Sequence, residues 1–159
     1  MNLGGFTMNL RRLTAIAMAA PVLLCLPALA DEPAAMVRLT PAEITALAAK
    51  MPANGGGPHM TALIGDSKMS GLYTVRVEIP PHTQVRPHTH RDSRSVTVMS
   101  GTWHMGYGTT FDPKALKDLP PGSVYTEPGG QPHFAQTTDE PVVIWVTGYG
   151  PSDTQPVKP

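Results

Sequence analysis

Two histidines, His88 and His90, stand one residue apart in Arg86-Pro87-His88-Thr89-His90. Pro87 biases Arg86 toward extended backbone, and strand-forming residues surround the stretch. Alternate side chains of an extended segment share a face, so both imidazoles project the same way, about 6 to 7 Å apart. Neutral imidazole nitrogens bind divalent metals at about 2.1 Å, and two rings so placed can close on one ion. The pair alone is a weak signal, because two surface or turn histidines fit it equally well. His133 strengthens it. This residue follows Pro128-Gly129-Gly130-Gln131-Pro132, a rigid turn that would return a third imidazole into a barrel mouth. Three imidazoles suit Fe, Mn, Zn or Ni, without distinguishing among them. His59 sits in a Gly-Pro-rich linker and reads as solvated; His82 and His104 have no settled role at this point. No Ser-His-Asp arrangement, paired carboxylates or glycine-rich phosphate loop offers a rival chemistry.

The elements that must position these rings are short strands. From Leu72 to Ile79 the hydrophobic period is two, with Tyr73, Val75, Val77 and Ile79 on one face and Thr74, Arg76 and Glu78 on the other. Further β-rich runs are Met60 to Gly65, Ser95 to Met99, Thr102 to Tyr107, Ser123 to Glu127 and Val142 to Tyr149. Pro80-Pro81, Ser100-Gly101, Pro120-Pro121-Gly122 and Pro128-Gly129-Gly130 punctuate them. Many short strands with such turns predict an all-β sandwich or barrel. Phe111 to Leu119, opening Asp112-Pro113, reads as a short helical turn inside a loop. Upstream, Thr40-Pro41-Ala42-Glu43 forms a capping box with proline at the first helical position. Ile44, Leu47, Ala48 and Met51 recur at helical spacing behind it, until Asn54-Gly55-Gly56-Gly57 stops the pattern. This predicts one short N-terminal helix over residues 41–51. Residues 151–159 contain three prolines and read as a disordered tail.

The first thirty residues have the layout of a secretory signal peptide. Arg11 and Arg12 precede an apolar stretch, Leu13 to Ala30, that closes Ala28-Leu29-Ala30 before Asp31-Glu32. Pro21 and Pro27 and the small-residue end argue against a retained transmembrane anchor, so a cleaved segment 1–30 and a periplasmic or secreted protein without stable membrane insertion are expected. Met-Asn-Leu occurs at Met1 and again at Met8, leaving two candidate starts. The twelve basic and twelve acidic residues balance, and loss of Arg11 and Arg12 would leave the acidic ones in excess by two. Nothing in that balance invites nucleic acid. Cys25, the single cysteine, lies inside the leader, so no disulfide is expected afterwards. What remains suits one domain.

With the histidines in place, the sequence resembles the cupin family. Its first motif, Gly, five residues, His-x-His, three or four residues, Glu, six residues, Gly, falls on His82, His88, His90, Arg94 and Gly101. The second motif, Gly, five residues, Pro-x-Gly, two residues, His, three residues, Asn, falls on Gly122, Pro128, Gly130, His133 and Thr137. Residues 102–121 separate them, a length similar to that of single-domain cupins. Val96-Thr97-Val98-Met99-Ser100-Gly101-Thr102 and Thr126-Glu127-Pro128 also resemble exported cupin-domain proteins of unassigned function. The resemblance implies a double-stranded β-helix, or jelly-roll barrel, over residues 59–150, preceded by a helix and linker at 31–58 and holding one divalent transition metal on His88, His90 and His133.

Three departures qualify that expectation. Arg94 replaces the family's metal-binding glutamate, and a guanidinium cannot donate a lone pair to a metal. Pointing inward beside a divalent ion, it would cost about a few kcal/mol in repulsion. Three outcomes stay open. The histidines hold the metal alone while Arg94 grips the carboxylate of an anionic substrate; Glu127 or His104 supplies the missing ligand; or metal binding is weakened or lost and the pocket takes an organic anion. His82 in place of glycine suggests that left-handed backbone is not required there, and Thr137 keeps a hydroxyl for a turn hydrogen bond.

The family hosts many reactions, so the resemblance implies no single one. One expectation is a metal-dependent enzyme, dioxygenase-like or isomerase/lyase-like, acting on a small organic and anionic molecule, with Tyr73, Tyr107, Phe134 and Trp145 as candidate pocket walls. The alternative is a non-enzymatic cupin that binds or senses a small anion or metal. A homodimer is the partner that the resemblance adds.

Overall fold

The computed structural model describes residues 1, 36–51 and 56–158. The chain divides into two units, Met1–Ala30 and Asp31–Pro159. The leader, Cys25 and the alternative start at Met8 lie outside the described residues, as does part of the stop after the helix. Among the described residues no helix is long and apolar enough to cross a membrane.

Helix α1, Pro41–Lys50, begins as its sequence predicts. Thr40 accepts from the Glu43 backbone N–H, and the Glu43 carboxylate accepts from the Thr40 backbone N–H at 2.7 Å. These reciprocal bonds hold the Glu43 carboxyl below the usual range. The helix contributes no fully buried side chain; Ile44, Leu47 and Ala48 are half-buried on its side facing the sheet.

Among the described residues ten strands follow: β1 His59–Ile64, β2 Gly71–Ile79, β3 Gln84–Thr89, β4 Arg94–Ser100, β5 Trp103–Tyr107, β6 Lys117–Leu119, β7 Val124–Glu127, β8 His133–Gln136, β9 Val142–Gly150 and β10 Gln155–Pro156. They form two antiparallel five-stranded sheets, ordered β1-β2-β9-β4-β7 and β10-β3-β8-β5-β6. The sheets face each other as a jelly roll. A single 3₁₀ turn, Pro113–Ala115, occupies the loop where a helical turn was expected, and β6 directly after it pairs with β5. A three-residue strand carries too little alternation to announce itself in sequence.

Alternation fills the interior. Tyr73, Val75 and Ile79 of β2, Val96 and Val98 of β4, and Val142, Ile144 and Val146 of β9 meet Trp103, Met105, Leu119 and Ala135 from the second sheet. This apolar packing anchors the strands whose ends carry the polar residues.

Two expectations are corrected. Residues 151–158 are ordered: β10 pairs with β3, Ser152 N–H donates to Ser67 O at 2.6 Å and Val157 N–H donates to Pro87 O at 3.1 Å. Proline content reports a missing helix and missing donors, and does not sense neighbours distant in sequence. At His82 the backbone keeps the left-handed conformation of the family glycine, with φ of 54°. Its exposed imidazole leaves room for that conformation, and the His82 N–H donates to Thr138 O at 2.8 Å. Thr137 behaves as expected: its hydroxyl donates to Pro80 O at 2.6 Å and accepts from the Thr83 N–H at 2.9 Å, joining the start of β3 to the end of β8.

Candidate metal centre

Strand register brings the three histidines together. His88 and His133 are direct partners across β3 and β8, with ring centroids 4.4 Å apart. His90, just beyond the end of β3, completes the set at 4.8 Å from His88 and 5.1 Å from His133. One ring nitrogen from each lies within 4.8 Å of the others. The turn before His133 is seated by two glycines. Gly130, at φ of 74°, donates its N–H to His90 O at 2.7 Å, and a Cβ on Gly129 would meet Arg91 O at 2.8 Å. The second-motif turn is thus hydrogen-bonded to the backbone of a residue in the first.

Each ring is oriented through Nδ1. His88 Nδ1 lies 2.8 Å from Arg86 O, His133 Nδ1 lies 3.2 Å from Gln131 O, and His90 Nδ1 bonds Asp153 O. A carbonyl only accepts, so each Nδ1 carries the proton and each Nε2 presents a lone pair. The Nε2 atoms of His90 and His133 are buried without a hydrogen-bond partner. Burial lowers the His88 pKa and, with the Arg94 charge nearby, lowers that of His90 to about 4. His88 and His90 thus resist protonation, and the Nε2 lone pairs converge with no hydrogen-bond donor on those of His90 and His133.

Glu127 adds a carboxylate to this convergence. Its Oε1 lies 3.4 Å from His133 Nε2 and its Oε2 3.7 Å from His90 Nε2. Ligand atoms around one ion with bonds of about 2.1 Å are separated by roughly 3 to 3.5 Å, so these spacings approach those of a common coordination shell. Unprotonated nitrogens and a carboxylate repel unless a cation joins them. The donor set therefore fits a divalent transition metal, held by the three histidines with Glu127 beside them.

Arg94 sits opposite Glu127 in the β4–β7 register. Its Nε donates to Glu127 Oε2 at 2.9 Å and its Nη2 donates to the same oxygen. Burial would raise the Glu127 pKa, but the positive charge of Arg94 and the hydrogen bonds from it outweigh that and hold the carboxyl below its ordinary range. Compared with the resembling motif, the acidic side chain has moved across one strand pair and a cation stands at the vacated position. The other oxygen accepts from the Tyr125 hydroxyl at 3.1 Å, and Tyr125 in turn accepts from Trp103 Nε1 at 2.9 Å. Burial pushes the Tyr125 pKa well up, so this phenol keeps its proton and remains a donor.

A cavity of about 100 Å³ opens onto His88, His133, Arg94 and Glu127, with Tyr125 and Trp103 among its walls. It has room for roughly three waters. His104, a candidate ligand, is not part of this cluster. Its Nδ1 meets Asp118 Oδ1 at 2.7 Å, and β5 alternation places it on the opposite face from buried Trp103 and Met105. Of the expected walls, Tyr73 is buried beside the site, with its hydroxyl donating to Asp92 Oδ2 at 2.5 Å. The other three face elsewhere. Phe134 follows inward-facing His133 and packs on Phe111 at 5.2 Å, Trp145 alternates with core residues Ile144 and Val146, and Tyr107 is exposed. Tyr125 and Trp103 take their place. Tyr125 was legible in principle, because two residues before Glu127 on one strand share its face.

Two facing antiparallel sheets with a three-histidine cluster between them define a double-stranded β-helix with a metal-type centre. The sequence profile of the family described as Cupin matches residues 66–155. The chain belongs to the cupin family. Over 68 residues it is 38% identical to two Arabidopsis thaliana proteins, germin-like protein subfamily 1 members 20 and 16, a match covering 40% of this chain and 31% of each relative. The match thus spans about a third of the length of these curated relatives. Among solved structures, the polyketide cyclase RemF from Streptomyces resistomycificus aligns with a TM-score of 0.58 at 16% identity, covering 79% of this chain and 87% of that one. A RmlC-like cupin from Shewanella frigidimarina gives 0.51 at 20% identity, covering 63% and 82%. The DMSP lyase DddQ from Ruegeria pomeroyi gives 0.51 at 20% identity, covering 73% and 56%. Likenesses at these identities establish the fold alone.

Proposed function

We propose that this cupin binds one divalent transition metal, Fe, Mn, Zn or Ni, on His88, His90 and His133, and acts outside the cytoplasm as a metal-dependent enzyme on a small anionic organic molecule. The observation that carries this reading is the convergence of buried Nε2 lone pairs, with each Nδ1 committed to a backbone carbonyl. When bound, such a metal supplies Lewis-acid polarisation and, at open positions, activation of water or redox chemistry. The protein's own residues supply the rest. Glu127 faces His90 and His133 as a fourth ligand, Arg94 keeps it ionised, and Tyr125 donates to it without releasing a proton. Apolar neighbours of the cavity lower the local dielectric, which strengthens the charge interactions within it.

The reaction class left open is oxidoreductase or lyase/isomerase. Polyketide cyclase and DMSP lyase neighbours illustrate what this barrel can host without assigning either activity here. Export rests on the leader-like residues 1–30, and a homodimer on the resemblance alone.

Elemental analysis of protein purified from its native compartment tests the metal, beside a His88→Ala/His133→Ala variant. About one transition metal per chain in the parent and none in the variant supports the proposal. A folded parent without metal sinks it. Arg94 favours a second reading, a non-enzymatic cupin that binds or senses a small anion through the guanidinium and the histidines. That version requires ligand-dependent thermal stabilisation with no turnover, surviving chelation.

A further inference from the structure

The three imidazoles are not held alike. His88 and His133 each bond the carbonyl two residues earlier in their own segment, Arg86 O and Gln131 O. His90 bonds Asp153 O, 63 residues further along the chain, and Thr154 Oγ1 lies 3.4 Å from the same nitrogen. Nothing local to His90 fixes its ring.

The segment that supplies this carbonyl is fastened at several points. Asp153 Oδ1 accepts from the Arg91 N–H at 2.9 Å, its Oδ2 lies 3.3 Å from Arg91 Nε, and Gln155 Nε2 donates to that oxygen at 2.8 Å. Gln155 and Pro156 then pair with Thr89 and His88, and Val157 N–H reaches Pro87 O. Residues 152–157 thus lie along the one strand that leads into both His88 and His90. Ser152, Asp153 and Thr154 also bound a cavity of about 140 Å³ that reaches Arg94.

We infer that the C-terminal strap, residues 152–157, is part of the metal centre: its Asp153 carbonyl holds His90 as the Nδ1–H tautomer, so that Nε2 faces the site as a lone pair. Free histidine in water favours neither orientation strongly, and a partner on one nitrogen determines which nitrogen is left for a metal. Asp153 is therefore a positioning residue acting through its backbone, and its carboxylate is the latch that keeps that backbone in place. The functional consequence rests on the metal reading above; the tautomer does not.

The test uses the full chain with the strap loosened at two of its fastenings, Asp153→Ala/Val157→Pro. The first change removes the contacts to Arg91 and Gln155, and the second removes the N–H that reaches Pro87. Asp153→Asn is the rescue control, because its amide oxygen still accepts from the Arg91 N–H. Long-range ¹H–¹⁵N spectra of metal-free protein read the His90 tautomer, and Co(II) titration reads affinity. The parent and Asp153→Asn should show His90 protonated at Nδ1. The loosened variant should shift toward Nε2–H and bind Co(II) about tenfold or more weakly, while the His88 and His133 signals stay in place. An unchanged His90 tautomer with unchanged Co(II) affinity overturns the inference. If the parent takes up no Co(II), the metal reading falls and the tautomer comparison alone decides the strap. Should the double variant lose its far-UV spectrum, Asp153→Ala alone, which removes the acceptor of the Arg91 N–H, carries the same two measurements.

Discussion

Exchanging Arg94 and Glu127 probes the centre at its least expected feature. The two are direct cross-strand partners, their side chains are only 13% and 6% exposed, and Arg94 Nε reaches Glu127 Oε2 at 2.9 Å. At that separation and an effective dielectric of about 20, their attraction is about 6 kcal/mol before desolvation. Each ion gives up hydration to be there, so the net worth of the pair is far smaller. Removing one partner is another matter, since it strands the other charge in the barrel at about 3 to 5 kcal/mol. Arg94→Glu and Glu127→Arg, each alone, place two like charges together and should lose at least that much. The double exchange restores the pair in the same register and returns the carboxylate to strand β4. It should recover most of the loss, with a coupling energy of about 3 kcal/mol or more. Urea unfolding of metal-free protein, followed by tryptophan fluorescence, measures all four corners of the cycle. Single variants within about 1 kcal/mol of the parent, or a double variant no better than the worse single, would refute the claim that these charges are buried and mutually dependent.

Three further outcomes are expected. Thr137→Val should cost about 2 kcal/mol in denaturant unfolding, because it leaves the Thr83 N–H and the Pro80 carbonyl without their shared hydroxyl; a cost under about 0.5 kcal/mol would mean water replaces it. His82→Gly should raise stability by about 1 kcal/mol by relieving left-handed backbone at an exposed side chain, and a lower melting temperature would count against that conformation. The metal-free protein should lose stability on acidification. Its buried His90 has its pKa lowered from 6.5 to about 4, so below 6.5 the unfolded chain takes up a proton that the folded one refuses. This contribution is complete above about pH 6.5 and declines through the window down to about pH 4, with His88 shifted in the same direction. A melting temperature flat across that window would show the rings to be solvated.

What the sequence made legible was whatever depends on near neighbours. The capping box at Thr40 and Glu43 is a four-residue device, and it forms as read. The alternation of Leu72 to Ile79 appears as β2, with Tyr73, Val75 and Ile79 in the core. The histidines converge because two motif turns fix backbone geometry within a few residues of each ring. Cross-strand information was harder to read. Nothing near Arg94 announces that its partner is Glu127, since their adjacency is created by register across β4 and β7. The strap eluded sequence reading for the same reason, as the bonds that tie it to the β3 segment join residues more than 60 positions apart. The aromatic walls were misassigned for a different reason. Phe134 and Trp145 were chosen by type, although their immediate neighbours His133 and Ile144 already faced inward and so directed them out.

The charge inventory of the interior links Arg94 to the chemistry proposed for it. Burial and Arg94 keep His90 uncharged, and Arg94 keeps Glu127 ionised, so one cation and one anion cancel among the polar side chains. A divalent metal on the histidines would then bring two positive charges that no residue of the centre offsets. With a glutamate at position 94 in place of the arginine and Glu127 unchanged, two carboxylates would offset both of those charges. Arg94 therefore leaves the centre two units more positive than that arrangement, around a cavity of about 100 Å³. An anionic ligand is the species that completes such a balance, by contact with the metal, with the guanidinium, or with both. The substitution that first suggests a failing metal site thus also accounts for its expected selectivity. It predicts that small carboxylates bind the metal-loaded protein more tightly than their neutral amides, an ordering that a neutral or negative centre would not produce.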